Sequence, residues 1–297
     1  MALRSNGFDA LVPPEMAVRA EYIGVTKAGT PPAVTFLLAV LAGGFIAMGA
    51  VFSTTVTTGA AAAGVPFGLV RLAAGLAFCL GLILVVAGGA ELFTGNHLIV
   101  MAWSSKRVTT LALLRNWTIV YAGNFVGSVL TAVGVFMAGQ YTFGKGSVGA
   151  AALAIADAKC SLGYTQAFAL GVLCNALVCM AVWLTLSARS TTDRLLAVIF
   201  PITAFVAAGF EHCVANMYFV PFGLLIKDLA APAFWTSIGK EPGAFASLNI
   251  GNFLLHNLVP VTVGNIVGGA GMVGGVYWLV YCRGRAPEPT DADTEVD

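Results

Sequence analysis

Charge is scarce in this sequence. Only 10% of its 297 residues are Asp, Glu, Lys or Arg, whereas a soluble domain carries about 25%. The 15 basic and 14 acidic residues leave a formal net charge of +1, so no electrostatic basis exists for binding nucleic acid. With 58% of the residues hydrophobic, the chain cannot cover its surface with polar groups. These values exclude a soluble globular domain and indicate a membrane-spanning protein.

Paired cysteines are also missing. The six cysteines lie mostly inside apolar segments, without the spacing of a disulfide framework or of a cysteine-based metal site. They are Cys79, Cys160, Cys174, Cys179, Cys213 and Cys282. The sequence therefore gives no reason to expect a bound metal ion or a cofactor.

Six apolar segments are long enough to cross a bilayer, for which a helix needs about 20 residues. They lie at 33–53, 68–103, 112–139, 163–187, 195–226 and 246–282. The fold class expected from them is an all-α membrane protein with six transmembrane helices.

The two ends of the chain are more polar than its middle. Charged residues interrupt every apolar core that could serve as a signal peptide, so we expect the N-terminal residues to be retained. We predict a cytoplasmic amphipathic segment at 1–28, whose surface helix begins at Pro13 and Pro14. A transmembrane domain at 29–285 and a disordered acidic cytoplasmic tail at 286–297 follow.

Basic residues predict how the spans are oriented. Six spans place both termini on one side of the membrane, and that side receives ten Lys and Arg residues against five on the other. The ten are Arg4, Arg19, Lys27, Lys106, Arg107, Arg115, Arg189, Arg194, Arg283 and Arg285, and the five are Arg71, Lys145, Lys159, Lys227 and Lys240. The positive-inside rule therefore predicts that both termini are cytoplasmic.

The second half of the chain repeats residues of the first half at three fixed offsets. Gly89, Glu91 and Asn96 match Gly209, Glu211 and Asn216 at an offset of 120; Asn116, Gly123, Asn124 and Gly127 match Asn257, Gly264, Asn265 and Gly268 at 141; Lys27 and Phe36 match Lys159 and Phe168 at 132. Three helices followed by three related helices must enter from opposite faces. The sequence therefore predicts two inverted repeats, at about 29–145 and 159–285.

Two of the six segments are too long for one crossing. As continuous helices, 68–103 and 195–226 would measure about 54 and 48 Å, whereas the hydrocarbon core measures about 30 Å. Each contains Gly or Pro near its middle, with Gly89 in one and Pro201 and Gly209 in the other. We predict that the second and fifth helices are broken, and that their unwound backbone lies in protein or lines a cavity.

Ionisable residues near these breaks are the candidate functional groups. An intramembrane ionisable residue is a functional candidate, and His212 is of a type that titrates near neutral pH; the alternative is a neutral histidine hydrogen-bonded between helices. Glu91 and Glu211 stand near the start of resumed helices, where a carboxylate can instead cap free amides. The hydroxyl of Thr94 can meet a substrate or bond to its own helix.

Glycines spaced four residues apart have a structural interpretation. Gly123 with Gly127, and Gly264 with Gly268, are expected to let helix backbones approach closely.

Four motifs resemble the formate–nitrite transporter family, and are closest to its formate channels. They read GLAFCLGL at 75–82, AELFTGN at 90–96, GFEHCVANM at 209–217 and NLVPVTVGN at 257–265. The similarity extends over about residues 8–283. It implies an aquaporin-like six-helix protomer, a homopentamer with one pore per protomer, and passage of small monovalent anions such as formate or nitrite across the bacterial cytoplasmic membrane.

The resemblance also implies roles for individual residues. The substrate pathway comprises His212, Thr94, Glu211, Asn216, Lys159 and Asn175, with apolar constrictions at Phe78, Leu82 and Phe205. By this resemblance, His212 corresponds to the family's central pore histidine and Thr94 to the threonine that faces it. Lys159 and Asn175 correspond to polar residues that draw anions toward the pore. Phe78 and Leu82 are placed in a loop of the second helix and Phe205 in the break of the fifth, while Glu91, Gly89, Gly209 and Pro201 support the breaks. No role is assigned to His97 or His256.

The sequence leaves several alternatives open. Protonating a carboxylate of pKa about 4 costs roughly 4 kcal/mol at pH 7, and a bare carboxylate in an apolar constriction costs more. This favours a permeant neutralised by a proton from or through His212, while a pure anion channel with a charged His212 is the competing mechanism. The AELFTG motif also resembles nitrite-type members, so nitrite or hydrosulfide is the main alternative substrate.

Other functions and a regulatory role remain as hypotheses. An intramembrane enzyme that uses Glu211 and His212 as acid and base lacks a paired nucleophile, and an aquaporin–glycerol channel would need Asn-Pro-Ala motifs, which the sequence lacks. The charged segment at 8–27 is predicted to gate the pore from the cytoplasm as pH changes. Its alternative is a static helix that orients the first span.

Overall fold

The computed structural model describes residues 10–284, and within that range every regular element is helical. In chain order the helices are α1 Pro13–Gly29, α2 Pro32–Thr57, α3 Phe67–Gly88, α4 Val100–Ser104, α5 Thr110–Met137, α6 Ser147–Cys160, α7 Tyr164–Ser187, α8 Thr191–Ala208, α9 Cys213–Leu229, α10 Pro232–Ile238 and α11 Ile250–Tyr281. The predicted disordered tail at 286–297 lies outside the described residues.

Six of these helices are long and apolar enough to cross a membrane, namely α2, α3, α5, α7, α8 and α11. Each overlaps a different one of the six predicted spans, so the all-α membrane class is confirmed. The predicted surface helix is α1, which begins at Pro13 and carries Lys27 in its last turn. Two helices, α6 and α10, were not predicted, because their short sequences are neither long apolar runs nor clearly amphipathic.

The helices that precede the glutamates both end at a glycine in the left-handed conformation. Gly89 follows α3 with φ of 70°, and Gly209 follows α8 with φ of 79°, a conformation that costs glycine little. Non-helical backbone then runs to a 3₁₀ turn at Gly95–Ile99 after α3, and to Cys213 at the start of α9. The placement of Pro201 at an interruption is wrong, because α8 continues through it and ends where glycine permits a positive φ.

Helix packing depends on glycines where two pairs of helices cross. A Cβ on Gly127 of α5 would collide with the carbonyl oxygen of Val40 in α2, and a Cβ on Gly268 of α11 with that of Val172 in α7. The glycine pairs therefore bring the backbones together, as predicted from their spacing.

We expect Gly127→Ala to lower the stability of the protein by about 1–3 kcal/mol, because backbone cannot yield to the added methyl group as a flexible side chain would. Thermal unfolding of the purified protein in detergent measures this effect. The matched control is Gly134→Ala in the same helix, where an added Cβ has no neighbour within 4 Å. Equal melting temperatures for the two variants would contradict the packing argument.

Candidate functional site

Two of the cavities among residues 10–284 are each lined by a lysine and a glutamate. One, the Lys27 cavity, has a volume of about 300 Å³ and is lined by Lys27, Glu91 and Asn96. The other, the Lys159 cavity, has a volume of about 490 Å³ and is lined by Lys159, Glu211 and other residues. Each cavity thus contains a lysine and a glutamate related by the offsets seen in the sequence.

A gap of about 10 Å³ shares walls with both cavities. It has Leu82 in common with the Lys27 cavity, and Phe78, Phe205 and His212 in common with the Lys159 cavity. Such a volume holds at most about one water molecule. The two cavities are therefore separated by a mainly apolar barrier at His212.

The apolar side chains of this barrier come from helices. Phe78 and Leu82 lie one turn apart in α3, and Phe205 lies in the last turn of α8, so their expected positions in a loop and in a break are wrong. The rings of Phe78 and Phe205 meet edge to face with centroids 5.7 Å apart, and Phe205 stacks on His212 at 5.9 Å. Helical spacing of four residues aligns Phe78 and Leu82 on one face of α3, which places both at the gap.

His212 joins the two non-helical segments. It is the N-cap of α9, where its Nδ1 accepts the Ala215 amide at 3.1 Å, and its Nε2 lies 2.9 Å from the Oγ1 of Thr94. Because Nδ1 accepts, the ring proton of the neutral imidazole is on Nε2 and is donated to Thr94. A second proton on Nδ1 would face an N–H group at the positive end of α9. The geometry therefore favours the neutral histidine among the two interpretations of the sequence.

The glutamates are ion-paired and do not cap helices. Lys27 Nζ lies 2.7 Å from Glu91 Oε1, and Lys159 Nζ lies 2.8 Å from Glu211 Oε1. The capping interpretation of the two carboxylates is wrong, because His212 is the side chain that caps α9. Each pair is largely shielded from solvent, and the lysine charge compensates the buried carboxylate.

Asparagines complete both ion pairs in the same way. Asn96 donates to Glu91 Oε2 at 2.6 Å, and Asn216 donates to Glu211 Oε2 at 2.7 Å. The same two asparagines donate to the side-chain oxygens of Asn116 and Asn257, whose own amides reach the carbonyls of Lys27 and Lys159. These bonds recur in both halves at the offsets of 120, 132 and 141. Each half adds one bond of its own: Lys27 also donates to Asn96 Oδ1 at 3.0 Å, and Asn257 also donates to Glu211 Oε2 at 3.2 Å.

A second pair of asparagines holds the non-helical backbone. Asn265 donates to the carbonyls of Gly171 and Glu211 at 2.7 and 3.0 Å, and its Oδ1 accepts the Cys213 amide at 3.0 Å. Asn124 makes the corresponding bonds to Ala39, Glu91 and Phe93 at 2.8, 2.9 and 2.9 Å. Both residues are part of the sequence repeat, but their role in binding this backbone was not predicted. The signal that could have indicated it is an asparagine repeated in two apolar, glycine-rich helices.

Two further residues differ from their expected position or were missed. Asn175 does not line the cavities described above; it is fully buried and donates to the Asn265 carbonyl at 2.7 Å.

Arg71 was not a candidate, yet it lines the Lys159 cavity and donates to the carbonyls of Val206 and Ala207 at the end of α8. A lone arginine in an apolar span was the signal that could have identified it.

Helix α1 lies at the Lys27 cavity. Arg19 and Lys27 line this cavity, and Arg19 donates to the Leu186 carbonyl at 3.2 Å, while the hydroxyl of Ser187 donates to the Leu11 carbonyl at 2.8 Å. These contacts attach α1 to the end of α7. Gating by this segment stays a prediction.

Two lysine-containing cavities that meet at an apolar gap inside a bundle of membrane-spanning helices define a multi-pass membrane transport protein. The chain matches the family model described as "Formate/nitrite transporter" over residues 14–279. The protein belongs to the formate/nitrite transporter family.

Curated relatives and solved structures resemble nearly the whole chain. Formate channel FocA of Escherichia coli (strain K12) is 45% identical over 278 residues, which are 94% of this chain and 97% of that protein. Formate channel FocA of Haemophilus influenzae is 44% identical over 265 residues, or 89% and 93% of the two chains. A structure described as a pentameric formate channel with formate bound is 48% identical, with a TM-score of 0.80 over 84% of this chain and 97% of that one. The family and these relatives are transport proteins, so the enzyme alternative is excluded.

We expect Lys159→Met to lower stability by about 3 kcal/mol, because Glu211 would lose its buried counter-charge. Adding Glu211→Gln should restore most of the loss, since the amide needs no counter-charge. Melting temperatures in detergent of the single and double variants measure this coupling. Lys145→Met, at an exposed position, is the control. A double variant no more stable than Lys159→Met would show that the pair does not neutralise Glu211.

Proposed function

We propose that this protein conducts formate across the bacterial cytoplasmic membrane, as a homopentamer with one pore in each protomer. The observation that carries the proposal is the hydrogen bond between His212 and Thr94, at the apolar gap between two cavities that each contain a lysine. The relatives named as formate channels and the pentameric solved structure support the substrate and the assembly.

We also propose that each protomer consists of two inverted three-helix repeats, at about 29–145 and 159–285, with broken second and fifth helices. The corresponding hydrogen-bond networks at the two glutamates support this interpretation, because equivalent residues make equivalent contacts in both halves. On this arrangement the Lys27 cavity faces the cytoplasm, since it is lined by Arg19 and Arg194 from the basic side of the chain. Both termini are then cytoplasmic.

Basic groups attract the anion to both ends of the pore. Lys27, Arg19 and Arg194 line the cytoplasmic cavity, and Lys159 and Arg71 line the outer one. Both lysines are already paired with glutamates, so they supply a local dipole more than a free charge. The anion is thereby concentrated at the mouth of the gap without being bound too strongly to leave.

Crossing the gap requires the permeant to lose its charge. A carboxylate between Phe78, Leu82 and Phe205 would be desolvated without a cation beside it, and this costs more than the roughly 4 kcal/mol needed to protonate it at pH 7. The neutral imidazole of His212 and the hydroxyl of Thr94 can form hydrogen bonds with formic acid as the gap widens. We therefore favour formate passing together with a proton over a charged His212 that stabilises a bare anion.

Nitrite is the second candidate substrate, because the AELFTG motif at 90–95 also resembles nitrite-type members of the family. Hydrosulfide remains in the same class. Proteoliposomes supplied with formate, nitrite, acetate or hydrosulfide at several pH values distinguish these anions. Formate flux below that of nitrite across the series would overturn formate as the main substrate.

We expect His212→Phe to lower formate flux at least about tenfold or to abolish its dependence on pH, because the permeant loses a hydrogen bond worth roughly 1.5–3 kcal/mol. Flux into proteoliposomes between about pH 5 and 8 measures the effect, with protein-free vesicles as the baseline. His256→Phe, at an exposed position, should behave as wild type. Unchanged flux of His212→Phe at every pH would contradict the role of the histidine.

We expect Leu82→Ala or Phe205→Ala to raise flux or the ratio of acetate to formate transport, since each change enlarges the gap and lowers a dewetted barrier. The ratio is measured by competing the two anions in one vesicle preparation. Phe200→Ala in the same helix as Phe205 is the control, because Phe200 is 78% exposed. The constriction hypothesis fails if both variants keep the wild-type ratio.

A further inference from the structure

We propose that His97 is a positioning residue for the His212–Thr94 pair, acting through Asn175 as a neutral imidazole whose Nδ1 accepts a hydrogen bond. The inference rests on the proposed function in one respect: its consequence for the pore is measured as transport. The bond itself is measurable without transport.

His97 is fully buried and lines neither the Lys27 cavity nor the Lys159 cavity. It lies in the turn Gly95–Ile99, three residues after Thr94, with 0% of its surface exposed. Its Nδ1 is 2.6 Å from the Nδ2 of Asn175, whereas its Nε2 has no hydrogen-bond partner in the part of the chain that the structure describes. The rings of Phe93 and Trp117 pack edge to face with the imidazole at 4.6 and 5.0 Å.

The neighbours of Asn175 decide which ring nitrogen of His97 is protonated. The Nδ2 of Asn175 lies 2.7 Å from the carbonyl oxygen of Asn265 and 3.4 Å from that of Thr94. The amide oxygen cannot occupy this position, because it would face two carbonyl oxygens. The Asn175 nitrogen therefore donates to His97 Nδ1, which must be unprotonated. A second ring proton would oppose this donor, so the geometry requires a neutral His97.

Asn175 connects His97 to both segments that form the pore pair. The Thr94 carbonyl that it approaches belongs to the residue whose hydroxyl bonds to His212. The backbone of Asn265 accepts its second proton, and the Asn265 side chain binds the Glu211 carbonyl and the Cys213 amide on either side of His212. One amide proton goes to His97 and the other to Asn265, so the link to Thr94 runs through His97, in the turn that follows Thr94. Fixing the Asn175 amide thereby fixes the distance across which Thr94 and His212 meet.

The helix beside this pair is shaped to receive it. Within α11, the segment Val267–Gly275 is a π-helix, a form often found at functional sites. A Cβ on Gly269 would collide with Asn175 Nδ2, and would lie 2.9 Å from His97 Nδ1 and 2.8 Å from Cys179 Sγ. The side chains of His97 and Asn175 thus occupy space that only glycine leaves free.

The matching positions in the other half carry no titratable group. The sequence offsets place Met217 opposite His97, Gly43 opposite Asn175 and Ser128 opposite Gly269. There the hydroxyl of Ser128 lies 3.2 Å from the Gly43 carbonyl and 3.4 Å from the Val214 carbonyl, and Val214 is the match of Thr94. A hydroxyl thus makes the equivalent backbone link in that half. His97 therefore occurs in the half of the chain that contains Thr94, the residue whose hydroxyl bonds to His212.

The transport test compares three variants in proteoliposomes. His97→Met introduces the side chain found at the matching position and removes the acceptor, so we expect about a tenfold loss of formate flux. His97→Gln can accept from Asn175 but cannot be protonated, so it should retain at least about half of the wild-type flux. His256→Gln is the control. Wild-type flux in His97→Met, or equal losses in the folded Met and Gln variants, would overturn the proposal.

A spectroscopic test needs no permeant and no functional variant. In protein labelled with ¹⁵N at histidine and placed in lipid nanodiscs, we expect His97 to give one bare Nδ1 and one protonated Nε2 signal near pH 7. The signals are assigned by their loss in His97→Gln. A charged ring or an Nδ1–H tautomer at His97 would overturn the proposal, whether or not any variant transports formate. Wild-type protein that shows this tautomer but passes no formate would instead refute the proposed function alone.

Discussion

Non-helical backbone inside a membrane must have its amides and carbonyls bound by protein, because lipid offers them no hydrogen-bond partners. Two segments here, after Gly89 and after Gly209, face this constraint. Asn124 and Asn265 reach across from neighbouring helices and bind an amide and a carbonyl of each segment. The polar centre of the molecule follows from these bonds, since they hold Thr94 and His212 where two helices have stopped.

The same constraint explains why the ion pairs lie beside the non-helical segments. Glu91 and Glu211 are the residues whose carbonyls the asparagines bind, and their carboxylates need compensation at that depth. Lys27 and Lys159, each in the last turn of a helix, supply it. In the proposed function, the lysine that lines each cavity attracts the anion, and its pairing with glutamate keeps the anion from binding too tightly to leave. Asparagines bind the backbone of these two glutamates, and lysines compensate their carboxylates.

Much of the fold could be predicted from the sequence, because helix length and charge distribution are local properties. The six spans and the start of α1 at Pro13 follow from apolar runs and proline. The position of the barrier could not be derived in this way: Phe78, Leu82 and Phe205 lie within helices, and only packing brings them to one gap. The partners of Glu91 and Glu211 were missed for a similar reason, since Lys27 and Lys159 lie 64 and 52 residues away along the chain.

If formate crosses the gap at His212 together with a proton, its transport is electroneutral. Simultaneous recording of formate uptake, lumenal pH and membrane current in proteoliposomes measures this coupling. We expect one proton to move with each formate and no net current to flow. Formate uptake accompanied by an equal charge movement, without acidification of the lumen, would contradict this coupling.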